Sequence, residues 1–148
     1  MGKRDRKKKF KAKSLQRKVD QLDQRDQGLY KPKKIVFGFS QLDNTQGQNY
    51  EDWEEYKILS KALARVQGLY SMTINEAKQS QLIKEYGTVI PDGSNFTKPK
   101  HLPEDIFWCS MRIGAVIRII GYIESNYIFQ IVFLDKEHKF YPSKKKNT

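Results

Sequence analysis

Cysteine occurs once in this chain, at Cys109, and histidine twice, at His101 and His138. A lone thiol cannot close an intramolecular disulfide, and so few soft ligands argue against a zinc site of the His/Cys kind. No metal ligands are assigned and no cofactor is expected. Long apolar runs are missing too. The longest, from Ala115 to Ile123, is interrupted by Arg118 and falls well short of the ~20 residues a spanning helix needs, so no membrane partner is expected. The basic start is not followed by the apolar segment of a secretory signal, and a reducing cytoplasm is the expected compartment. A Gly-rich phosphate loop, GxSxG, HExxH and CxxC are all lacking, which excludes the chemistries those motifs support. Catalysis by this chain would draw on Arg, Lys, His, Tyr or carboxylates.

Acidic residues are scarce in one region only. Residues 1–34 hold 14 Lys or Arg against four Asp, a balance of +10 out of the total of +11. The rest is nearly neutral, with 14 basic and 13 acidic groups. The 148 residues suit a single folded domain, with hydrophobic residues at 38%. Three segments are expected: a basic arm over residues 1–32, flexible or partly helical; one domain over 33–143; and a Lys-rich tail over 144–148. Within the arm, Leu15, Val19 and Leu22 fall at helical spacing, which predicts a short helix over 13–24. The polyanion-binding candidates are Lys3, Arg4, Arg6, Lys7, Lys8, Lys9, Lys11, Lys13, Arg17 and Lys18 in the arm, with Lys139, Lys144, Lys145 and Lys146 near the other end. An acidic partner protein, a localisation signal or plain solubility would also account for such a run.

Beyond Pro32 the patterning changes. Ile35, Phe37 and Phe39 alternate with Val36, Gly38 and Ser40, as in a strand. Asn49 is a suitable N-cap, and Trp53, Tyr56, Leu59, Leu63, Val66 and Tyr70 recur at steps of three and four. That spacing predicts one helix ending near Gln67, stopped by Gly68, with Trp53 and Tyr56 in the core. Thr73 and Glu76 have capping-box spacing, predicting a second helix to about Glu85. A short strand is expected over 86–90, then a turn at Pro91-Asp92-Gly93 and an ordered loop. Residues 106–113, 115–124 and 127–135 are β-branched and aromatic-rich, with turns between them, and a short fourth strand is expected over 138–141. The fold class is therefore α+β: a helix hairpin packed on an antiparallel sheet with a C-terminal three- or four-strand meander, preceded by a basic arm.

The meander gathers the chemically useful types: Arg112, Arg118, Glu124, Asp135, His138, Lys139 and Tyr141. They suit cleavage of RNA by its own 2′-hydroxyl, which needs a base, cations on the pentavalent phosphate and an acid for the leaving oxygen. His138 could exchange the proton, Arg112 and Arg118 could hold the phosphate, and Tyr141 could stack on a base or donate a proton. Plainer readings stand beside these. His138 reads as a surface or turn residue, Arg118 as a solvated outward group, and Tyr141 and Trp108 as core or rim aromatics. His101, flanked by Lys98 and Lys100, is a weaker phosphate candidate.

The segments Met111-Arg112-Ile113-Gly114, Arg118-Ile119-Ile120-Gly121-Tyr122 and His138-Lys139-Phe140-Tyr141 resemble the end of the RelE/ParE toxin superfamily, over about 30 of 148 residues. The resemblance implies helices on an antiparallel sheet whose last strands form a meander. It also implies a RelE-like toxin, an endoribonuclease that cleaves ribosome-bound mRNA without metal. Arg112 and Arg118 would then contact the scissile phosphate, and His138 and Tyr141 would be the terminal His and Tyr of the ribonuclease branch. RNA (mRNA or rRNA), the ribosome and a cognate antitoxin are the partners implied. Two other functions fit the same residues: a non-catalytic nucleic-acid-binding or ribosome-associated protein, and a ParE-like toxin that inhibits a protein target.

Overall fold

Asn49 and Thr73 each do what their spacing predicts. The Asn49 side chain accepts from the Asp52 N–H while the Asp52 carboxylate accepts from the Asn49 N–H, and Thr73 and Glu76 repeat the exchange. Each box satisfies two of the amide donors that a helix start leaves open. The chain divides into two units, Met1–Lys33 and Lys34–Thr148, and the computed structural model describes residues 32–142. The expected helix over 13–24, the arm cations and Lys144, Lys145 and Lys146 lie outside the described residues.

In chain order the elements are β1 (Val36–Gly38), α1 (Tyr50–Glu55), α2 (Leu59–Leu69), α3 (Ile74–Gln79), β2 (Ile83–Gly87), β3 (Trp108–Arg112), β4 (Arg118–Glu124) and β5 (Ile128–Asp135). They form an α+β fold with a five-stranded sheet in the order β1-β5-β4-β3-β2. β2 to β5 make an antiparallel meander of four strands. β1 departs from the antiparallel expectation, running parallel to β5. The four-strand count is reached by β2 in front of the predicted three, and residues 138–141, which follow a turn at 136–137, are irregular and form no strand.

The helices differ from the predicted hairpin in three places. The single stripe from Trp53 to Tyr70 is split between α1 and α2, because Lys57 adopts a left-handed φ of 60° and redirects the chain. Trp53 is fully buried, but Tyr56 at the break is 53% exposed, with the Lys136 ammonium over its ring. Gly68 is not a stop; it lies inside α2 with open space about it. The second helix ends at Gln79, and Gln81 at φ 61° turns the chain into β2, which starts earlier than expected. Phe39 lies past the end of β1 and is exposed, so the first strand is shorter than its alternation suggested.

Strand periodicity divides the sheet residues between two cores. Cys109, Met111, Ile119, Phe129, Ile131 and Ile83 face the helices, meeting Trp53, Ala62, Leu69, Ile74 and Ala77. Trp108, Ile120, Tyr122 and Phe133 belong to the second core, against Phe96, Leu102 and Ile106 of the 88–107 segment and Phe140 of the final turn. Trp108 is thus a core residue. Its ring lies 5.2 Å from that of Phe140 and stacks on Phe133, and Phe96 stands 4.6 Å from Phe133. The cover matters for the site because of where it stops. The Trp108–Tyr122 pair at one end of β3 and β4 lies beneath the aromatic cover, and the Arg112–Arg118 pair at the other end lines an open pocket.

Candidate functional site

Consecutive same-face positions on β3 are Trp108, Ser110 and Arg112, and on β4 Tyr122, Ile120 and Arg118, paired in that order. Moving along the strands thus carries one sheet face from apolar to cationic. At the cationic end lies a pocket of about 410 Å³, lined among others by Lys78, Lys84, Tyr86, Ser110, Arg112, Arg118, His138 and Tyr141. The four of those residues given a part in catalysis, Arg112, Arg118, His138 and Tyr141, line this one pocket, although they come from two strands and a turn. No carboxylate among the described residues lines it.

Arg118 is held by its own hairpin. Its Nη1 donates to the carbonyl oxygens of Gly114, Ala115 and Ile117 at 2.9, 3.1 and 3.0 Å. These bonds satisfy one corner of the guanidinium and leave Nε and Nη2 for a ligand, in the fork geometry that suits phosphate. Burial pushes Arg118 down from its ordinary value, Arg112 adding to the effect and Tyr86 and Asp135 opposing it. Guanidinium is basic enough to stay charged regardless, so the pocket gains a desolvated cation. Arg112, its cross-strand neighbour, is exposed and has no ion pair among the described residues. Two like charges in register across an antiparallel pair repel, a cost that an anion between them would reverse.

Lys84 and Tyr86 project from β2 on the same side as Ser110. The Tyr86 hydroxyl donates to Ser110 Oγ at 2.7 Å, which satisfies a serine only 3% exposed. Burial raises Tyr86 above the ordinary phenol range, with the Ser110 bond partly opposing, so it is a neutral donor near pH 7. Tyr141 stacks on Tyr86, centroids 4.6 Å apart and rings 5° from parallel. The Lys84 ammonium is 5.7 Å from one centroid and 5.4 Å from the other. Such nearly equal distances place it beside the stack, so it does not cap the outer face of Tyr141, which is 40% exposed. Lys78 is already paired, 2.6 Å from the Glu85 carboxylate.

His138 sits in the turn after β5 with a left-handed φ of 61°. For a residue with a β-carbon this costs about 1–2 kcal/mol, so the surroundings must impose it. Beside it, the Asp135 carboxylate accepts from the Lys139 and Phe140 N–H groups, both at 2.9 Å. The His138 Nδ1 is shut away from solvent and has no hydrogen-bond partner, so the nitrogen left to a ligand is Nε2.

Comparison of the chain with protein-family models, curated proteins and solved structures returns no match. The site is an open concavity with aromatic stacking on one wall, three cations without a carboxylate partner among the described residues, and one imidazole. Such a combination is chemically suited to an anionic group attached to a planar ring.

Several residues named from the sequence lie elsewhere. Lys139 is exposed and contributes backbone alone, donating to Asp135 and accepting from Asn95. Glu124 accepts from Gln130 at the far end of β4, and His101 contacts the Gln41 carbonyl oxygen at 3.0 Å. No group of three or more His, Cys, Asp or Glu able to hold a metal ion occurs among the described residues. Lys84, Tyr86 and Ser110 were missed. In Ile83-Lys84-Glu85-Tyr86 the apolar residues stand three apart with Lys and Glu between them, which reads as the end of a helix, although in the strand Ile83 and Tyr86 point to opposite faces.

Proposed function

We propose that this chain is a toxin-like endoribonuclease that cleaves mRNA at the ribosome by attack of the 2′-hydroxyl on the adjacent phosphate. The observation that carries this reading is the convergence of Arg112, Arg118, His138 and Tyr141 on one pocket with no lining carboxylate among the described residues. A phosphate diester and its pentavalent transition state are anionic, so fixed guanidiniums whose charge is not already spent stabilise the transition state more than the ground state. In the proposed reaction, Arg112 and the free edge of Arg118 hold the two non-bridging oxygens, and a base stacks on Tyr141. The 2′ oxygen bonds to phosphorus as the P–O5′ bond breaks, leaving a 2′,3′-cyclic phosphate and a 5′-hydroxyl. Imidazole is the side chain here that exchanges a proton near neutral pH, so His138, through Nε2, handles the proton moving between the two oxygens.

The Nδ1 of His138 has no acceptor, so no carboxylate backs the imidazolium as in a catalytic triad. Electrostatic stabilisation therefore outweighs proton transfer, and the arginines matter more than the histidine. The expected losses in RNA cleavage are about a hundredfold or more for Arg118→Ala or Arg112→Ala. For His138→Ala they are about tenfold or more, and for Tyr141→Ala, which removes the stacking ring, about tenfold. Single-turnover cleavage of an mRNA, free and on translating ribosomes, with circular dichroism to verify folding, makes the comparison. Folded variants that all cleave as fast as the parent contradict the assignment.

A further inference from the structure

We propose that Asp135 is a positioning residue for this site, its carboxylate holding the turn that carries His138 to the pocket wall. The inference rests on the nuclease reading and adds a residue that touches no substrate. Asp135 ends β5 and is 1% exposed. A buried carboxylate needs its acceptor capacity filled, and here each oxygen takes one of two consecutive backbone N–H groups, from Lys139 and Phe140. The far side of the turn is pinned independently, by the fully buried Phe140 ring and by the Asn95 N–H on the Lys139 carbonyl. Between these anchors His138 is held in a left-handed conformation that side-chain-bearing residues rarely keep without support.

The turn could have been capped for stability alone. What argues for a role in the site is where the capped turn lies: Asp135 is the cross-strand partner of Arg118, and His138 and Tyr141 line the pocket while Lys139 and Glu137 are exposed. One carboxylate thus organises the imidazole side of the pocket next to its more buried guanidinium, and its charge acts favourably on Arg118.

Asp135→Asn keeps the shape but has only one oxygen acceptor, so one of the two N–H groups faces an amide donor. For D135N we expect the saturated single-turnover rate on mRNA to fall tenfold or more, with the half-saturating enzyme concentration changing less than threefold. If Asp135 acts through His138, the double variant with His138→Ala is no slower than His138→Ala alone, within threefold. Amide exchange in the parent needs no variant to fold: the Lys139 and Phe140 N–H groups should be strongly protected although Lys139 is on the surface. D135N cleaving within twofold of the parent, losses that multiply with those of His138→Ala, or unprotected Lys139 and Phe140 amides would each overturn the positioning role alone. A folded parent that cleaves no RNA, free or on ribosomes, overturns the nuclease reading and with it any part for Asp135 in the reaction.

Discussion

Arg112 and Arg118 could be found in the sequence because each interrupts a stretch of apolar and β-branched residues, where a charge must point outward or find a partner. Their register across β3 and β4 could not, since a shift of one residue would have sent them to opposite faces. His138 and Tyr141 were legible as types, while the left-handed turn that presents them depends on the distant Asn95 and on Asp135. Lys84 and Tyr86 were hidden by their helix-forming neighbours. Cys109 shows the reverse case, a reactive type with no reactive setting. Burial pushes its thiol from an ordinary 9.0 up to about 12, Glu85 adding and Lys78 opposing. Folding therefore favours the protonated thiol: its stabilising contribution is whole below about pH 9 and is lost as pH climbs toward 12. At pH 8 a maleimide should modify the folded protein about a hundredfold more slowly than the urea-unfolded chain. Prompt labelling of the folded protein would contradict this burial.

Local signals specified the starts of α1 and α3 better than their ends. Asn49 and Thr73 were readable because a capping box is made within four residues. The break between α1 and α2 was not, because Tyr56-Lys57-Ile58 contains neither Gly nor Pro and the bend follows from Trp53 and Leu59 both reaching the same core. β1 was shortened by what it meets: it pairs with β5 for only three residues before the chain leaves the sheet. Removing the hydroxyl in Thr73→Ala should cost about 1 kcal/mol, the usual worth of a helix N-cap. The loss is measurable as a lowered urea midpoint at unchanged m-value, and an unchanged midpoint would show that α3 is held by the packing of Ile74 and Ala77 alone.

Charge and shape are separated in the whole molecule. Residues 1–34 hold +10 of the +11 formal charge, whereas the pocket belongs to the near-neutral remainder, which uses three unspent cations in one place. The α+β class and the meander were legible because β4 and β5 are long and rich in Ile, Val and Phe, and because turn residues separate β3, β4 and β5. The aromatic cover over 88–107 was not, since nothing local tells a packed loop from a solvated one. Affinity and chemistry should separate in the same way. Deleting residues 1–30 should remove most RNA affinity and flatten its salt dependence, the log–log slope shrinking by about 0.7 for each single-strand phosphate that the arm no longer neutralises. Cleavage should persist at raised RNA concentration, whereas a non-catalytic binding protein has no cleavage to keep. The central claim is tested most directly by expressing the parent and His138→Ala proteins in cells and mapping new RNA 5′ ends. We predict fresh 5′-hydroxyl ends within translated messages for the parent, reduced about tenfold or more in the variant; growth arrest with intact transcripts, or identical ends from both proteins, would contradict it.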